Sequence, residues 1–336
     1  MKRITTVDEF QETRQVSSKV RRRWAVAGGV CLLLLAADTA AWWVACGQVE
    51  AGLGQAIGAA GRDGWTVTAG ETRWRGWPLA ALVERAAVSV RGDAMVFPAG
   101  LAWSAERMAF RVSAWAPTRL DVAVSGQQTL AVDGSEAVGV RAARFDVAID
   151  LRGQAPARAS LAGVEATLPG GVLGAERLAV ELLPGAVAVS AAVVTLPGAR
   201  IPAIETVRFT AGVSPALVAR ESAAAWRDAG GRVTVVDGSV RWAGLAATGS
   251  GSGGLDGALQ PEGDLSVAAT GAPALLDALA QAGVMAPAAA VAAKAVLSIL
   301  AAPARGGPVP LPVSLRGGLL TVAGIGLVRF APLAWD

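Results

Sequence analysis

Hydrophobic residues are most concentrated near the N-terminus, in an apolar run over residues 24–45 whose one charged residue is Asp38. At about 1.5 Å per residue, a helix of this length crosses a hydrocarbon core of about 30 Å. Trp24 stands at one end and Trp42 and Trp43 at the other, where the aromatic belts of membrane helices lie. The run predicts a transmembrane helix. A cleaved signal peptide is the alternative, but the preceding segment is long for one and no clear cleavage site follows.

Basic residues are concentrated just before this run. Residues 1–24 carry seven of the 30 Lys and Arg residues but three of the 27 Asp and Glu residues, so a short tail accounts for the pI of about 9.4. Because arginines stay on the cytoplasmic side of a membrane helix, Arg21, Arg22 and Arg23 predict a cytosolic tail over 1–23, with the rest of the chain outside. The remaining sequence has no basic stripe interleaved with aromatic residues, so nucleic acid is not expected as a partner.

Two residues of this region allow a sharper interpretation. Asp38 is a carboxylate within the predicted span, where it could reach the interface, pair with a partner helix or stay protonated. Cys46 follows Trp43-Val44-Ala45 and is a poor match to a bacterial lipobox, because Trp stands where Leu is usual. Lipidation of Cys46 and a plain apolar role both stay open.

Residues 46–62 predict a stalk helix that continues from the membrane. Val49, Leu53 and Ile57 recur at a spacing of four, which places them on one helical face. Gly52, Gly54 and Gly58 in the same stretch weaken a helix, so a loose linker is the alternative.

From Trp65 to about Phe209 the apolar positions alternate with a period of two, which is typical of half-buried strands. Gly and Pro turn signals separate these segments, so residues 63–213 predict a meandering antiparallel sheet. The predicted strands include Leu79–Val90, Leu101–Val112, Leu120–Ser125, Arg141–Leu151, Val164–Leu168, Glu176–Leu182, Val187–Leu196 and Thr206–Val213.

Residues 214–336 predict a second sheet region with three short helices. The helices are expected over 214–229, where Ser214 would cap and Pro215 begin the helix, and over 273–282 and 287–301, each of which begins at a proline. The expected strands are Arg232–Val236, Ser239–Ala243, Leu255–Leu259 and Asp264–Thr270, with a last hairpin of Val313–Arg316 and Leu319–Ala323. The fold class is therefore mainly β: a single transmembrane helix followed by a large, twisted antiparallel sheet that forms a half-open sandwich or groove.

The composition excludes most catalytic and metal chemistry. The chain has no His, so Ser-His-Asp and Cys-His pairs are excluded, and its two Cys cannot form a thiolate zinc site. Gly249–Gly254 formally contains G-x-G-x-x-G, but no helix follows to hold a pyrophosphate, so a loop is predicted. Nothing in the spacing supports Ser314 and Lys294 as a dyad. We expect no enzyme activity, no cofactor and no metal site.

Short motifs follow the anchor. They comprise a Gly76-Trp77-Pro78 turn that opens a strand, a central Trp103 in the next strand, a link containing Pro117, and a strand ending near Gly126-Gln127. These motifs resemble the DUF2125 family of alphaproteobacterial envelope proteins. The resemblance extends to a later stretch with Pro261 and Gly263. The strand-rich body is also similar in architecture to AsmA-type proteins, a weaker likeness that implies phospholipid traffic between membranes. Neither resemblance carries an activity over to particular residues.

A sheet with one apolar face must cover that face with a second sheet, with helices or with acyl chains. Trp74, Trp77 and Trp103 are expected to pack in a core or, alternatively, to line a lipid groove or contact the outer leaflet. The sequence therefore predicts a non-enzymatic protein of the bacterial inner membrane, with its bulk in the periplasm, that binds phospholipid or another apolar envelope component. A structural or partner-binding scaffold is the alternative, and a periplasmic hydrolase is a remote one.

Overall fold

The computed structural model describes residues 8–92, 101–132, 138–168, 171–197, 200–214, 223–302, 307–330 and 332. The side chains of Arg21, Arg22 and Arg23 and the first seven residues of the predicted tail lie outside this description. So do residues 215–222 of the helix predicted over 214–229.

The first element is one continuous helix, α1, of 55 residues from Asp8 to Arg62. It joins the predicted span over 24–45 and the predicted stalk over 46–62 without a break, so the linker alternative for the stalk is wrong. The apolar part of α1 is long enough to cross a membrane, and little of it is buried by the rest of the protein. Its leucines are exposed, as expected of a helix that is a candidate to cross a membrane.

The rest of the described chain is one antiparallel sheet with three short helices, which confirms the mainly β fold class. The strands are β1 Trp65–Thr68, β2 Thr72–Arg75, β3 Ala80–Gly92, β4 Leu101–Ser113, β5 Ala116–Val132, β6 Val138–Asp150, β7 Ala157–Leu168, β8 Gly171–Leu183, β9 Ala186–Thr195, β10 Ile204–Ser214, β11 Arg232–Trp242, β12 Leu245–Leu255, β13 Pro261–Thr270, β14 Val309–Arg316, β15 Leu319–Val322 and β16 Ile325–Arg329. The helices are α2 Ala223–Asp228, α3 Ala272–Gln281 and α4 Pro287–Ala301.

Strand order follows chain order from β3 to β16, and β1 and β2 pair with two different parts of β3. Residues paired across antiparallel strands point to the same side, so the register defines the composition of each face. One side, which we call the apolar face, carries two long rows of hydrophobic residues. They are Trp74–Val83–Phe110–Val122–Val147–Ala159–Val180–Val189–Phe209 and Met108–Val124–Phe145–Leu161–Leu178–Ala191–Val207–Val240–Ala247–Ala269.

The opposite side, the polar face, carries charged and hydroxyl side chains. Paired rows there include Arg158 beside Glu181, and Ser190 beside Arg208. This separation explains the period-two alternation of the sequence, because each strand contributes every second residue to the same side.

A line of positive-φ residues crosses the sheet, one in every second strand. Ala87 in β3, Gly126 in β5, Gly163 in β7 and Val193 in β9 have φ values of 47°, 86°, 56° and 50°. We call these four residues the bulge line, because regular pairing is interrupted at each of them. In β3, Val83 and Val88 are both buried although they lie five residues apart on the two sides of Ala87, where a regular strand would turn them to opposite sides. The bulge line thus resets which residues face inward.

Several predicted elements differ from the structure. Ser214 is the last residue of strand β10, residues 215–222 lie outside the described chain, and the described part of the predicted 214–229 helix is limited to α2. Residues 256–259, predicted as strand, form the turn between β12 and β13, where the Asp256 carboxylate accepts the N–H groups of Ala258 and Gln260 at 2.8 Å. β16 was not predicted.

The loop predicted at Gly249–Gly254 is also wrong, because these residues lie within β12. Their neighbour β13 approaches closely: a Cβ at Gly251 would lie 2.3 Å from the carbonyl oxygen of Asp264. Glycine is therefore a packing requirement of this strand pair and does not signal a loop.

Candidate functional site

The candidate site is the middle of the apolar face, which the described protein leaves uncovered. Within the described residues of β6–β11, no hydrophobic side chain is buried on either side of the sheet. Val147, Val180 and Val189 are half-buried, and Phe209 is 38% exposed. A second sheet or a helix layer would bury these residues. The question that the sequence left open, a closed core or an open apolar face, is answered by an open face.

Protein covers the apolar face at its two ends. At the first end, α1 packs on β3 through a cluster of Cys46, Ala81 and Val83, with Trp42, Val49, Leu53, Trp74 and Phe110 around it. At the other end, Ala247 and Ala269 are buried near α3 and α4. The uncovered rows therefore begin directly beside the apolar helix.

Tryptophans fix α1 to the sheet. The indole N–H of Trp42 lies 3.0 Å from the carbonyl oxygen of Ala80 and 3.2 Å from that of Arg75. Trp74 makes edge contacts with the rings of Trp42 and Trp43, at centroid distances of 6.3 and 5.1 Å. Of the aromatic residues predicted to mark the membrane interface, Trp42 is thus half-buried against the sheet, whereas Trp24 and Trp43 are exposed.

An ion pair joins the helix to the sheet at this junction. The carboxylate of Glu50 on α1 lies 3.6 Å from the guanidinium of Arg85 on β3 and accepts the indole N–H of Trp74 at 3.1 Å. Arg85 continues the second apolar row, where it is paired with Met108. The ion pair allows that row to start at α1 without an isolated buried charge.

Asp38 and Cys46 have distinct surroundings on α1. Asp38 is half-buried one turn before Trp42, and no hydrogen bond among the described residues reaches its Oδ2. Cys46 is fully buried between α1 and the sheet, beside Ala81 and Val83. Its thiol therefore fills a packing position, as expected of a small apolar residue.

The residues of the family motif lie at separate places along the sheet. Gly76, Trp77 and Pro78 form the turn before β3, where a Cβ at Gly76 would lie 2.6 Å from the carbonyl oxygen of Ala80. Pro117 lies at the start of β5, and Gly126 on the bulge line. Pro261 and Gly263 lie far along the sheet, in β13.

Trp103 and Gln128 form a buried polar contact within this otherwise apolar surface. The indole N–H of Trp103 lies 3.3 Å from the Oε1 atom of Gln128, whose side chain is almost completely buried. Trp103 itself is half-buried. The role of Gln128 was not foreseen, since a single Gln in a strand carries no sequence signal.

The polar face holds a cavity of about 960 Å³. Most of its lining charges are paired: Arg119 with Asp121 at 2.7 Å, Arg158 with Glu181 at 2.9 Å, and Arg144 with Asp146. At its margin, the N–H groups of Arg152, Gln154 and Ala155 hold the pKa of Asp150 below its usual value. The pairing leaves little free charge for a ligand, so this cavity is a weaker candidate than the apolar face.

Ser314 and Lys294, the pair that the sequence did not support, interact with other residues. Lys294 forms an ion pair with Asp277 between α4 and α3. The hydroxyl of Ser314 contacts that of Thr321 at 2.6 Å. Among the described residues, no group of three or more Cys, Asp or Glu is placed to hold a metal ion.

Sequence reasoning predicted the strands of the apolar face but singled out none of its central residues. One usable signal is a recurring triplet on the strands between the bulge-line residues. It reads Ala105-Glu106-Arg107 in β4, Ala142-Ala143-Arg144 in β6 and Ala175-Glu176-Arg177 in β8. The hydrophobic residue after each triplet, such as Met108, belongs to the second apolar row.

Comparison with protein families gives one match. A family described as "Uncharacterized protein conserved in bacteria (DUF2125)" matches residues 42–331. The likeness to AsmA-type proteins is not shown. No curated protein and no solved structure matches the chain.

Proposed function

The chain belongs to the DUF2125 family, and from that premise we propose that it is a non-enzymatic protein of the bacterial inner membrane that binds phospholipid acyl chains on its apolar face. The bulk of the chain would lie in the periplasm, with α1 as the anchor. The observation that carries the proposal is the open middle of the apolar face. Large exposed hydrophobic surfaces on proteins mark binding sites for apolar partners.

The dimensions of the open region suit a lipid. Six strands at about 4.8 Å spacing give a width of about 25–30 Å, close to the hydrocarbon thickness of a bilayer. The strands β6, β7 and β8 have 13, 12 and 13 residues. At about 3.3 Å per residue they extend about 40 Å. An acyl chain laid along one of them would be covered over its whole length.

The position of the open region favours lipid over a soluble ligand. The first apolar row starts at Trp74 and Val83, which pack directly on α1 near the end of the predicted span. A lipid leaving the membrane beside α1 would therefore meet hydrophobic surface without first crossing a charged barrier. Composition supports binding rather than catalysis, since the chain contains no His.

A scaffold function is the second candidate, supported by the edges of the sheet. Among the described residues, β16 pairs with β15 alone, so its other edge is open. An open edge can accept a strand of another protein.

Two adjacent residues of β9 provide the test. Val189 lies on the apolar face and Ser190 on the polar face, and both are half-buried. We expect Val189→Glu in the full-length protein to reduce the lipid that co-purifies from membranes several-fold, because a carboxylate would lie against the acyl chains. Ser190→Glu is the matched control and should retain lipid. Mass spectrometry of extracted lipid, with circular dichroism to verify folding, measures both.

Equal lipid content in the two variants, or no lipid in the unmodified protein, would contradict the proposal. Transfer of fluorescent phosphatidylcholine between liposomes gives a second readout with the same two variants. A protein that binds no lipid but captures a strand at β16 would support the scaffold function instead.

A further inference from the structure

Turns at one edge of the sheet lie beside the segment of α1 that is predicted to be inside the membrane. The indole N–H of Trp77 donates to the Thr39 hydroxyl at 3.2 Å. Thr39 precedes the end of the 24–45 span by six residues, which is about 9 Å along a helix. The turn Gly76–Leu79 thus reaches below the outer end of the predicted span.

A second turn lies next to the first. The backbone N–H of Ala114, in the turn between β4 and β5, donates to the carbonyl oxygen of Leu79 at 3.0 Å. Both turns expose large hydrophobic side chains: Trp77 is 49% exposed, Leu79 is 55% exposed and Trp115 is 81% exposed. The next turn along this edge exposes Leu151, whose N–H donates to Thr118.

The direction of α1 relative to the sheet makes this edge the one nearest the membrane. Trp42 contacts Ala80 at the start of β3, and Glu50 contacts Arg85 farther along the same strand. The helix and β3 therefore leave the membrane side by side. Farther along β3 the chemistry differs, since the link between β1 and β2, which is hydrogen-bonded to Ala86, exposes the ion pair of Arg73 and Glu71, at 3.3 Å.

We propose that the edge formed by Gly76–Leu79 and Ala114–Trp115 inserts into the outer surface of the membrane that α1 crosses. Tryptophan and leucine at the headgroup level bury their apolar area while the indole N–H keeps polar contacts. The partner is the lipid surface itself. This docking does not require acyl chains to bind the apolar face, although it would open that face toward the bilayer.

Fluorescent labelling at single sites in the full chain tests the insertion. Cys31→Ser and Cys46→Ala remove the native thiols, and Trp115→Cys or Glu71→Cys then accepts an environment-sensitive label. The proteins are reconstituted in liposomes of phosphatidylcholine and phosphatidylglycerol. At position 115 we expect emission at shorter wavelength, strong quenching by lipid-attached nitroxide and several-fold weaker quenching by iodide than at position 71. Both replaced side chains are largely exposed, so neither substitution should disturb folding.

Equal iodide quenching at positions 115 and 71 would overturn the proposal. Disulfide-linked dimers of the unlabelled Trp115→Cys protein in the liposomes would also overturn it, because they would show that a second copy covers the edge. Adding Val189→Glu separates this proposal from the lipid-binding function. That variant should lose co-purifying lipid but leave the label at position 115 in the membrane surface.

Discussion

Trp74 and Glu50 connect the sheet to the long helix through a hydrogen bond of 3.1 Å between the indole N–H and a carboxylate oxygen. The same carboxylate faces Arg85 at 3.6 Å. One helical residue thus contacts two neighbouring strands, β2 and β3, at the point where the apolar face begins. The orientation of the sheet relative to the helix depends on this contact.

Removing the Glu50 carboxylate should weaken this junction. We expect Glu50→Ala to lower the free energy of unfolding by about 1–2 kcal/mol, because Trp74 loses its acceptor and the mostly buried Arg85 loses its partner. Glu71→Ala removes an exposed ion pair with Arg73 and should cost less than about 0.5 kcal/mol. Denaturant unfolding followed by tryptophan fluorescence compares the two. Equal losses would show that Glu50 contributes no more than a surface charge.

Val83 is fully buried between α1 and β3, so its side chain is expected to matter for stability. Val83→Ala removes two methyl groups and leaves a cavity, which should cost about 1.5–3 kcal/mol. Val236→Ala is the control, since Val236 is largely exposed and should change stability little. Thermal unfolding in detergent measures both, and a near-neutral Val83→Ala would argue against tight packing of α1 on the sheet.

Gly251 is expected to tolerate no side chain. Because a Cβ there would lie 2.3 Å from the backbone oxygen of Asp264, Gly251→Ala must push β12 away from β13, at a cost of about 1–3 kcal/mol. Gly257→Ala in the following turn meets no atom within 4 Å and should be nearly neutral. Hydrogen exchange at the β12 amides should rise in the first variant alone. Unchanged protection would mean that the two strands can separate without loss.

Asp150 should give the turn between β6 and β7 a dependence on pH. Its folded pKa is lowered by the N–H groups of Arg152, Gln154 and Ala155, so folding favours the ionised carboxylate. The stabilisation is complete above the unfolded pKa of about 3.9 and is lost as the pH falls through the lower folded pKa.

Carboxyl NMR titration should place the Asp150 midpoint below those of ordinary aspartates. Asp150→Asn keeps one acceptor oxygen but does not ionise, so its stability should fall less between pH 5 and pH 2 than that of the unmodified protein. Parallel pH curves for the two proteins would contradict the assignment.

The strands could be predicted because the two faces of the sheet differ so clearly. In β4, Arg107 and Arg111 alternate with Met108, Phe110 and Val112, and the structure places these two sets on opposite sides. The apolar helix could be predicted equally well, because its length and composition are local properties of the sequence. The chain order of the strands followed from the short turns between them.

Two features could not be predicted from local sequence. Gly249–Gly254 has the composition of a loop, but the close approach of β13 makes it a strand, and that contact is not local. The sequence does not show that the apolar face is open, because Val147, Val180 and Val189 would be equally suitable in a closed core. Burial by a distant element, or its absence, decides between the two cases.

The agreement between strand order and chain order has a consequence for how the protein folds. From β3 to β16 each strand pairs with the one that precedes it in the chain, and the longest connection between two such strands is the α3–α4 segment between β13 and β14. Low sequence separation between partners speeds folding, and repetitive architectures can add units one at a time. A growing chain can therefore assemble its sheet progressively, each new strand docking on the last before synthesis ends.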